Sequence, residues 1–189
     1  MADHRDRRPL FRGKLWFWLP IAPLVALDLW SKSAVFAFLA DRYGGSEMYW
    51  KHPVWSPDAL VQFHLVAWRN TGTVWGLGQD FNKALIALRC VALGLIVFFA
   101  WRMPTRARLE QLVLGMILAG AIGNLYDNLT EREGGVRDFL LFSAVFGGEE
   151  WRFPAFNVAD SCICVGAFTL AFLLWRRDVN RAEIAPASP

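Results

Sequence analysis

Cysteine, histidine and tyrosine are scarce in this 189-residue chain, at three of each. An odd cysteine count, with Cys90, Cys162 and Cys164 all inside apolar runs, excludes a disulfide framework. Cys162-x-Cys164 has neither a second cysteine pair nor a nearby histidine, so buried packing explains it better than a metal site does. His4, His52 and His64 form no H-E-x-x-H, and His64 reads more simply as a strand residue than as a ligand. There is no G-x-S-x-G elbow, no P-loop and no internal repeat, and Gly72, Gly76 and Gly78 have the wrong spacing and context for a dinucleotide fingerprint. Charge of one sign is lacking too. Twenty Lys and Arg against 17 Asp and Glu leave a formal charge of +3, which gives no reason to expect a nucleic-acid partner.

What the chain has in quantity is apolar surface: 55% hydrophobic residues, ten Trp and fifteen Phe, with the charges gathered between long apolar stretches. That pattern excludes a disordered or collagen-like chain and points to the membrane. A helix needs about 20 mostly apolar residues to cross the hydrocarbon core. Segments 15–39, 84–101, 109–126 and 156–175 meet that requirement. The first carries Asp28 and Lys32, is too long for a secretory h-region and lacks a small-residue cleavage site, so it reads as a retained span. The fold expected is therefore mainly α: one polytopic membrane domain over 1–189, with four transmembrane helices and a small β-rich unit from the first outer loop. In that loop residues 59–69 are β-prone and partly alternating, Asn70-Thr71-Gly72 reads as a turn and Thr73–Leu77 is apolar again, consistent with a short surface helix after the β-unit. Orientation follows the basic residues. Arg5, Arg7, Arg8, Arg12 and Lys14 precede the first span, Arg102, Arg106 and Arg108 crowd the second connection, and Arg176, Arg177 and Arg181 follow the last. Both termini are expected in the cytoplasm with tails 1–14 and 176–189, leaving loops 40–83 and 127–155 outside.

Ionisable residues inside spans cost roughly 2.5–3.5 kcal/mol each on insertion scales, so each needs a reason. Asp28 and Lys32 lie four apart on one helix face, where a structural ion pair and a functional role are equally good explanations. Gly120, Asn124, Asp127 and Asn128 form one stripe, in which the glycine allows close helix approach. Packing explains that glycine but not an Asp with two Asn. Val136-Arg137-Asp138-Phe139 follows the Gly134-Gly135 turn, and Asn157, Asp160 and Ser161 share a face where the fourth span opens, Asp160 lying roughly 6 Å inside it. Asp127, Asp138 and Asp160 can thus converge near the outer membrane surface. Two carboxylates in a partly dry site tend to share a proton, one acting as general base on water while the other donates to a carbonyl oxygen. That is aspartic-type peptide hydrolysis, and it needs no cofactor or metal. A transporter or proton channel using Asp28, Asp127, Asp138 and Asp160 as a relay stands level with it on these residues alone.

Five ordered motifs separate the two. Asp28-Leu-Trp-Ser-Lys32, Asn70-Thr-Gly-Thr-Val-Trp-Gly76, Gly120-Ala-Ile-Gly-Asn124-Leu-Tyr-Asp127, Val136-Arg-Asp138-Phe and Phe153-Pro-Ala-Phe-Asn157-Val-Ala-Asp160-Ser161 resemble those of lipoprotein signal peptidase (signal peptidase II), in order over about residues 15–175. The resemblance implies a bacterial inner-membrane aspartic endopeptidase, active near the outer leaflet. It would remove the signal peptide of a diacylglyceryl-modified prolipoprotein just before the lipidated cysteine. It makes Asp138 and Asp160 the catalytic pair and Asp28, Lys32, Asn70, Gly120, Asn124, Asp127 and Asn157 supporting residues. Asn124 and Asn157 would orient the carboxylates or the substrate backbone, and Asp127 would anchor the site. The partners expected are the lipid-modified substrate and membrane lipids, with the chain monomeric and its outer loop gating entry.

Departures from the pattern are informative. Asn128, grouped here with the supporting residues, stands where the family commonly has Arg, which leaves the carboxylate pair a weaker pull toward ionisation unless Arg69, Arg132 or Arg137 supplies the cation. Trp75 replaces the usual Phe, and the stretch between Asp138 and Pro154 is longer than typical, both bordering the expected entrance. A degenerate homologue without activity would fit Asn128, but not the retained Asp138 and Asp160.

Overall fold

The computed structural model describes residues 12–44, 50–55, 60–71, 79–131 and 135–184. A 3-10 turn at Arg12–Lys14 leads into a short helix, α1 (Leu15–Trp18), and then α2 (Ile21–Tyr43). Pro20 separates them, because a proline has no N–H to continue the ladder and is tolerated only where a helix begins. Gly44 ends α2 at φ 60°, donating its N–H to the Ala40 carbonyl (3.0 Å). Helix α3 covers Gln79–Arg102, α4 covers Arg108–Thr130 and α5 covers Val158–Ile184. The four stretches long and apolar enough to cross a membrane are Leu15–Tyr43, Lys83–Arg102, Arg108–Thr130 and Val158–Asn180. All begin or end a few residues away from the limits expected of the sequence. The last helix runs well into the 176–189 segment expected as a cytoplasmic tail.

Between the helices lies one antiparallel sheet in the order β1 (Lys51–Trp55), β2 (Val61–Asn70), β3 (Val136–Phe146), β4 (Glu149–Arg152). The first outer loop supplies β1 and β2, as expected, and the second loop adds β3 and β4, which the sequence reading left as loop. Strands β2 and β3 pair centrally, with Leu65 opposite Leu140 and Asn70 opposite Val136. An irregularity between Leu65 and Trp68 shifts the register so that Trp68 faces Asp138. The β3–β4 hairpin turns on Gly147 (φ 61°) and Gly148 (φ 87°), the left-handed pair that a two-residue hairpin requires. Gly72, Thr73–Leu77 including Trp75, the expected surface helix, Arg132 and Gly134 lie outside the described residues.

Two apolar clusters bracket the polar centre. Phe36, Leu39, Trp50, Ala67 and Phe139 pack α2 against the sheet, and Phe17, Ala100, Leu114 and Leu118 join the other ends of α1, α3 and α4. Along α1 and α2, Asp28 and Lys32 fall between Phe17 of one cluster and Phe36 of the other. Outward-facing positions carry large apolar side chains, including Trp30, Leu88, Phe168 and Trp175. In water such a surface would aggregate, whereas in lipid it needs no cover.

Candidate active site

Close helix approach comes first. At Gly120 of α4 a Cβ would strike the Ala159 carbonyl oxygen of α5, and at Gly123 it would strike the Asp28 carboxylate of α2. Small residues at these two positions let three helices meet around one polar core. Gly120→Ala is therefore expected to force α4 and α5 apart and cost about 1–3 kcal/mol, read as a lowered unfolding temperature in detergent.

Lys32 occupies the centre with no exposed surface. Its Nζ donates to Asp28 Oδ2 (2.7 Å) and Asn124 Oδ1 (3.1 Å), and pairs with Asp127 Oδ2 at 3.2 Å. An ammonium has three donors, and three acceptors surround this one. Asp127, also fully buried, in turn receives the backbone N–H of Arg137 (3.0 Å) and its guanidinium through Nη2 (2.8 Å) and Nε (3.2 Å). Arg137 continues to Ser33 Oγ (3.2 Å) and Glu131 Oε1 (3.3 Å), and Glu131 also pairs with Arg69. These charges clamp α2 and α4 to the strand that carries Asp138.

The start of α5 is built around Asn157. Its carbonyl accepts the N–H of Ser161 (3.2 Å), and its Oδ1 accepts the N–H of Asp160 (2.9 Å), which makes it the N-cap. Asp160 Oδ2 reaches back to accept the Asn157 N–H (3.1 Å), completing a reciprocal capping box. A further free N–H of that helix terminus, Ala159, donates to Asp28 Oδ1 (2.8 Å). Asp160 is thus the third residue of the helix, nearer the end than the sequence reading placed it, where the positive end of the helix dipole favours a carboxylate.

The remaining amide donor of Asn157 joins the two acids. Nδ2 donates to Asp138 Oδ1 (2.7 Å) and lies 3.2 Å from Asn124 Oδ1, and Asn124 Nδ2 donates to Asp160 Oδ1 (2.7 Å). Asn70, at the end of β2, hydrogen-bonds Asp138 from the other side. Asp138 is buried at 2% exposure while Asp160 is half-buried, so the pair is open on the Asp160 side. Burial above all, and then the charge of Asp160, push the Asp138 carboxyl up to about 7 against the opposing hydrogen bonds of Asn70 and Asn157. Phe156, just before the cap, bonds to the Phe139 and Leu140 backbone (3.0 and 2.9 Å), locking β3 to the start of α5. Two carboxylates with unequal surroundings on a rigid frame can divide base and acid roles.

The chain matches the family model described as signal peptidase (SPase) II over residues 21–176. It belongs to the signal peptidase II family. Among its relatives, the lipoprotein signal peptidase of Rhodopirellula baltica is 34% identical over 176 residues, covering 86% of this chain and 72% of that protein. The lipoprotein signal peptidase of Anoxybacillus flavithermus is 29% identical over 174 residues, covering 91% and 92%. Two solved structures of bacterial membrane enzymes share the fold. One, at 2.3 Å resolution, has a TM-score of 0.61 at 19% identity over 93% of this chain and 94% of that one. The other, at 1.9 Å, has a TM-score of 0.60 at 21% identity over 86% and 91%.

The acidic pair and the supporting residues expected in this signal peptidase II relative lie at or beside this network. Asp28, Lys32, Asn124, Asp127, Asp138, Asn157 and Asp160 are linked by hydrogen bonds or ion pairs, Asn70 reaches Asp138, and Gly120 permits the packing. Asn128 is also here, and of the three arginines that could supply a cation beside it Arg132 lies outside the described residues. Arg69 and Arg137 are engaged by Glu131 and Asp127. The guanidinium that meets Asn128 is Arg89 of α3, whose Nη1 donates to Asn128 Oδ1 and to the Asn124 carbonyl (3.3 Å). An arginine inside an apolar span is a readable signal of a polar site, though Arg89 is not among the residues expected above. The backbone donor from Ala159 and the Arg137 clamp had no local signature.

Proposed function

We propose that this protein is an inner-membrane aspartic endopeptidase in which Asp138 and Asp160 hydrolyse the signal peptide from diacylglyceryl-modified prolipoproteins. The cut falls just before the lipidated cysteine. The observation that carries this reading is the shared frame around Asn157, which holds a buried carboxylate and a half-buried one through a single side chain and its own N–H. Asp160 accepts two N–H donors, from Asn124 and the Asn157 backbone, which an anionic carboxylate satisfies best. It serves as general base on the attacking water. Asp138 keeps its proton up to about pH 7 and donates to the scissile carbonyl, stabilising the developing oxyanion. The proton gathered at Asp160 then passes to the departing cysteine amine as the C–N bond breaks, Asp138 takes back its proton from the collapsing diol, and the signal peptide leaves with a new carboxylate. Lys32, Asp28 and Asp127 hold the frame without meeting substrate, and Asn70 keeps Asp138 turned toward the cut.

The site lies where the end of α4, the start of α5 and the sheet meet. With Lys and Arg concentrated at the chain ends and in the connection between α3 and α4, that end faces outward and both termini face the cytoplasm. A substrate anchored by its acyl chains then presents its scissile bond at the depth of the carboxylates. The enzyme works as a monomer, since the described site is completed by one chain. A transport relay is disfavoured because Asp28, Asp127, Asp138 and Asp160 belong to one network instead of being staggered across the membrane.

The test is incubation of the purified protein in detergent with a synthetic diacylglyceryl prolipoprotein peptide and its unlipidated counterpart, with products weighed by mass spectrometry. Cleavage before the modified cysteine of the lipidated peptide alone supports the reading, whereas no cleavage, or a cut elsewhere, rejects it. The pH profile gives a second check. Above about 7 Asp138 loses the proton it must donate, so kcat/KM is expected to fall with a basic limb near that pH. A rate still level at about pH 9 would remove Asp138 from the acid role.

A further inference from the structure

Arg89 stands out because no carboxylate among the described residues pairs with it. It lies within the candidate span Lys83–Arg102, the least buried of the four, beside lipid-facing Leu88 and Val91. A cation there costs roughly 2.5–3.5 kcal/mol on insertion, so its retention calls for a compensating interaction. Yet among the described residues its hydrogen bonds go only to the neutral Asn128 amide and the Asn124 carbonyl, both through Nη1, and it makes no ion pair. The other cations around the carboxylate pair are committed: Lys32 to Asp28 and Asp127, Arg137 to Asp127 and Glu131, and Arg69 to Glu131. Arg89 instead reaches the acid pair through Asn124, whose carbonyl it bonds at 3.3 Å and whose side-chain amide donates to Asp160.

We infer that Arg89 is a positioning residue of the site: held by Asn128, its guanidinium supplies from α3 the positive charge that keeps one member of the Asp138/Asp160 pair anionic. A residue that merely fastened α3 to α4 would be served by any donor to Asn128, at less cost in the membrane than a full charge. The charge is useful only if something nearby must stay ionised. Asn128 sets its position, because its amide oxygen accepts from the same Nη1 that reaches the carbonyl of Asn124, the residue whose side chain donates to Asp160. A guanidinium arriving from the neighbouring helix thus does the work of one attached to residue 128 itself.

The inference rests on the peptidase reading for its rate readout but not for its titration readout. Arg89→Met, Arg89→Lys and the double variant Arg89→Met/Asn128→Arg are compared with the unaltered protein. Ionisation of the pair is followed by infrared spectroscopy of protein carrying ¹³C-labelled aspartate carboxyls, with the pair's bands identified by their loss in Asp138→Asn and Asp160→Asn. Because an opposite charge favours the anion, Arg89→Met is expected to move the pair's first ionisation upward by about one pH unit or more. The acidic limb of kcat/KM should rise with it. Arg89→Lys should stay near the unaltered protein, and the double variant, which returns the charge from α4, should bring both limbs back. A titration in Arg89→Met within about 0.3 unit of the original, or a double variant that fails to restore it, overturns the inference and leaves Arg89 a helix fastener. Should Arg89→Met not accumulate, Arg89→Gln removes the charge while keeping a donor to Asn128, and the same shift is read. If the unaltered protein cuts no lipidated peptide, the peptidase reading fails by itself while the infrared titration still decides this inference.

Discussion

Asp138→Asn and Asp160→Asn are each expected to lower kcat for cleavage of the lipidated peptide by about 10³-fold or more while leaving the protein folded. The reason lies in how the site is held together. Asparagine at 138 can still take the Asn157 Nδ2 hydrogen bond through its oxygen, and asparagine at 160 can still accept the Asn157 N–H, so cap and frame survive. What is lost is proton transfer to or from the reacting atoms, a contribution of about 10²–10⁴ for one positioned group and more where two groups act as a unit. The double variant should therefore be scarcely slower than either single one, because removing either acid already stops the cycle. Unfolding temperatures of all three near the original, with cleavage absent, are the expected measurement. Substantial activity in either single variant would mean that the wrong carboxylate has been assigned.

Lys32→Met is expected to have the largest effect on stability, about 3–5 kcal/mol, with little recoverable folded protein. The lost Coulombic attraction is secondary. Removing the ammonium leaves Asp28 and Asp127 facing each other in a region without solvent, and Asn124 Oδ1 without its charged donor. Asp127 retains Arg137, but Asp28 keeps only the Ala159 N–H. Neutralising both partners should therefore recover most of the loss. In Asp28→Asn/Lys32→Met the amide oxygen can still accept from Ala159, and no unpaired charge remains at Asp28. Recovery in the double variant, measured by denaturant or thermal unfolding in detergent, separates the cost of an orphaned buried charge from the net worth of the pair, which is often small. A double variant as unstable as Lys32→Met would show that Lys32 acts by a route other than this pairing.

The helices were legible because apolar runs of this length have one reading. Strand β3 was not. In Val136–Phe146 the polar Arg137, Asp138 and Ser143 interrupt an apolar run without alternation, because both faces of the strand are largely covered and period two disappears. Asp138 was therefore identified from its motif while its backbone was left as loop. At Asn157 the sequence carried more than was taken from it: Asn-x-x-Asp before an apolar run is a capping-box pattern, read only as residues sharing a face. Contacts such as Asp28 with the Ala159 N–H join positions 131 residues apart, which no local pattern encodes. Arg89 is a different kind of omission. Its charge inside a span was visible, but Arg69, Arg132 and Arg137 were the cations weighed for this place.

The central claim is that water is activated directly between Asp138 and Asp160. The measurement that tests it most directly is a single turnover of the lipidated peptide in ¹⁸O-labelled water, with the enzyme in excess and the released signal peptide weighed by mass spectrometry. One ¹⁸O in its new terminal carboxylate in that first turnover is the expected result. Release of an unlabelled carboxylate would mean that the oxygen came from an enzyme carboxylate through a covalent acyl intermediate, and would contradict direct attack by water.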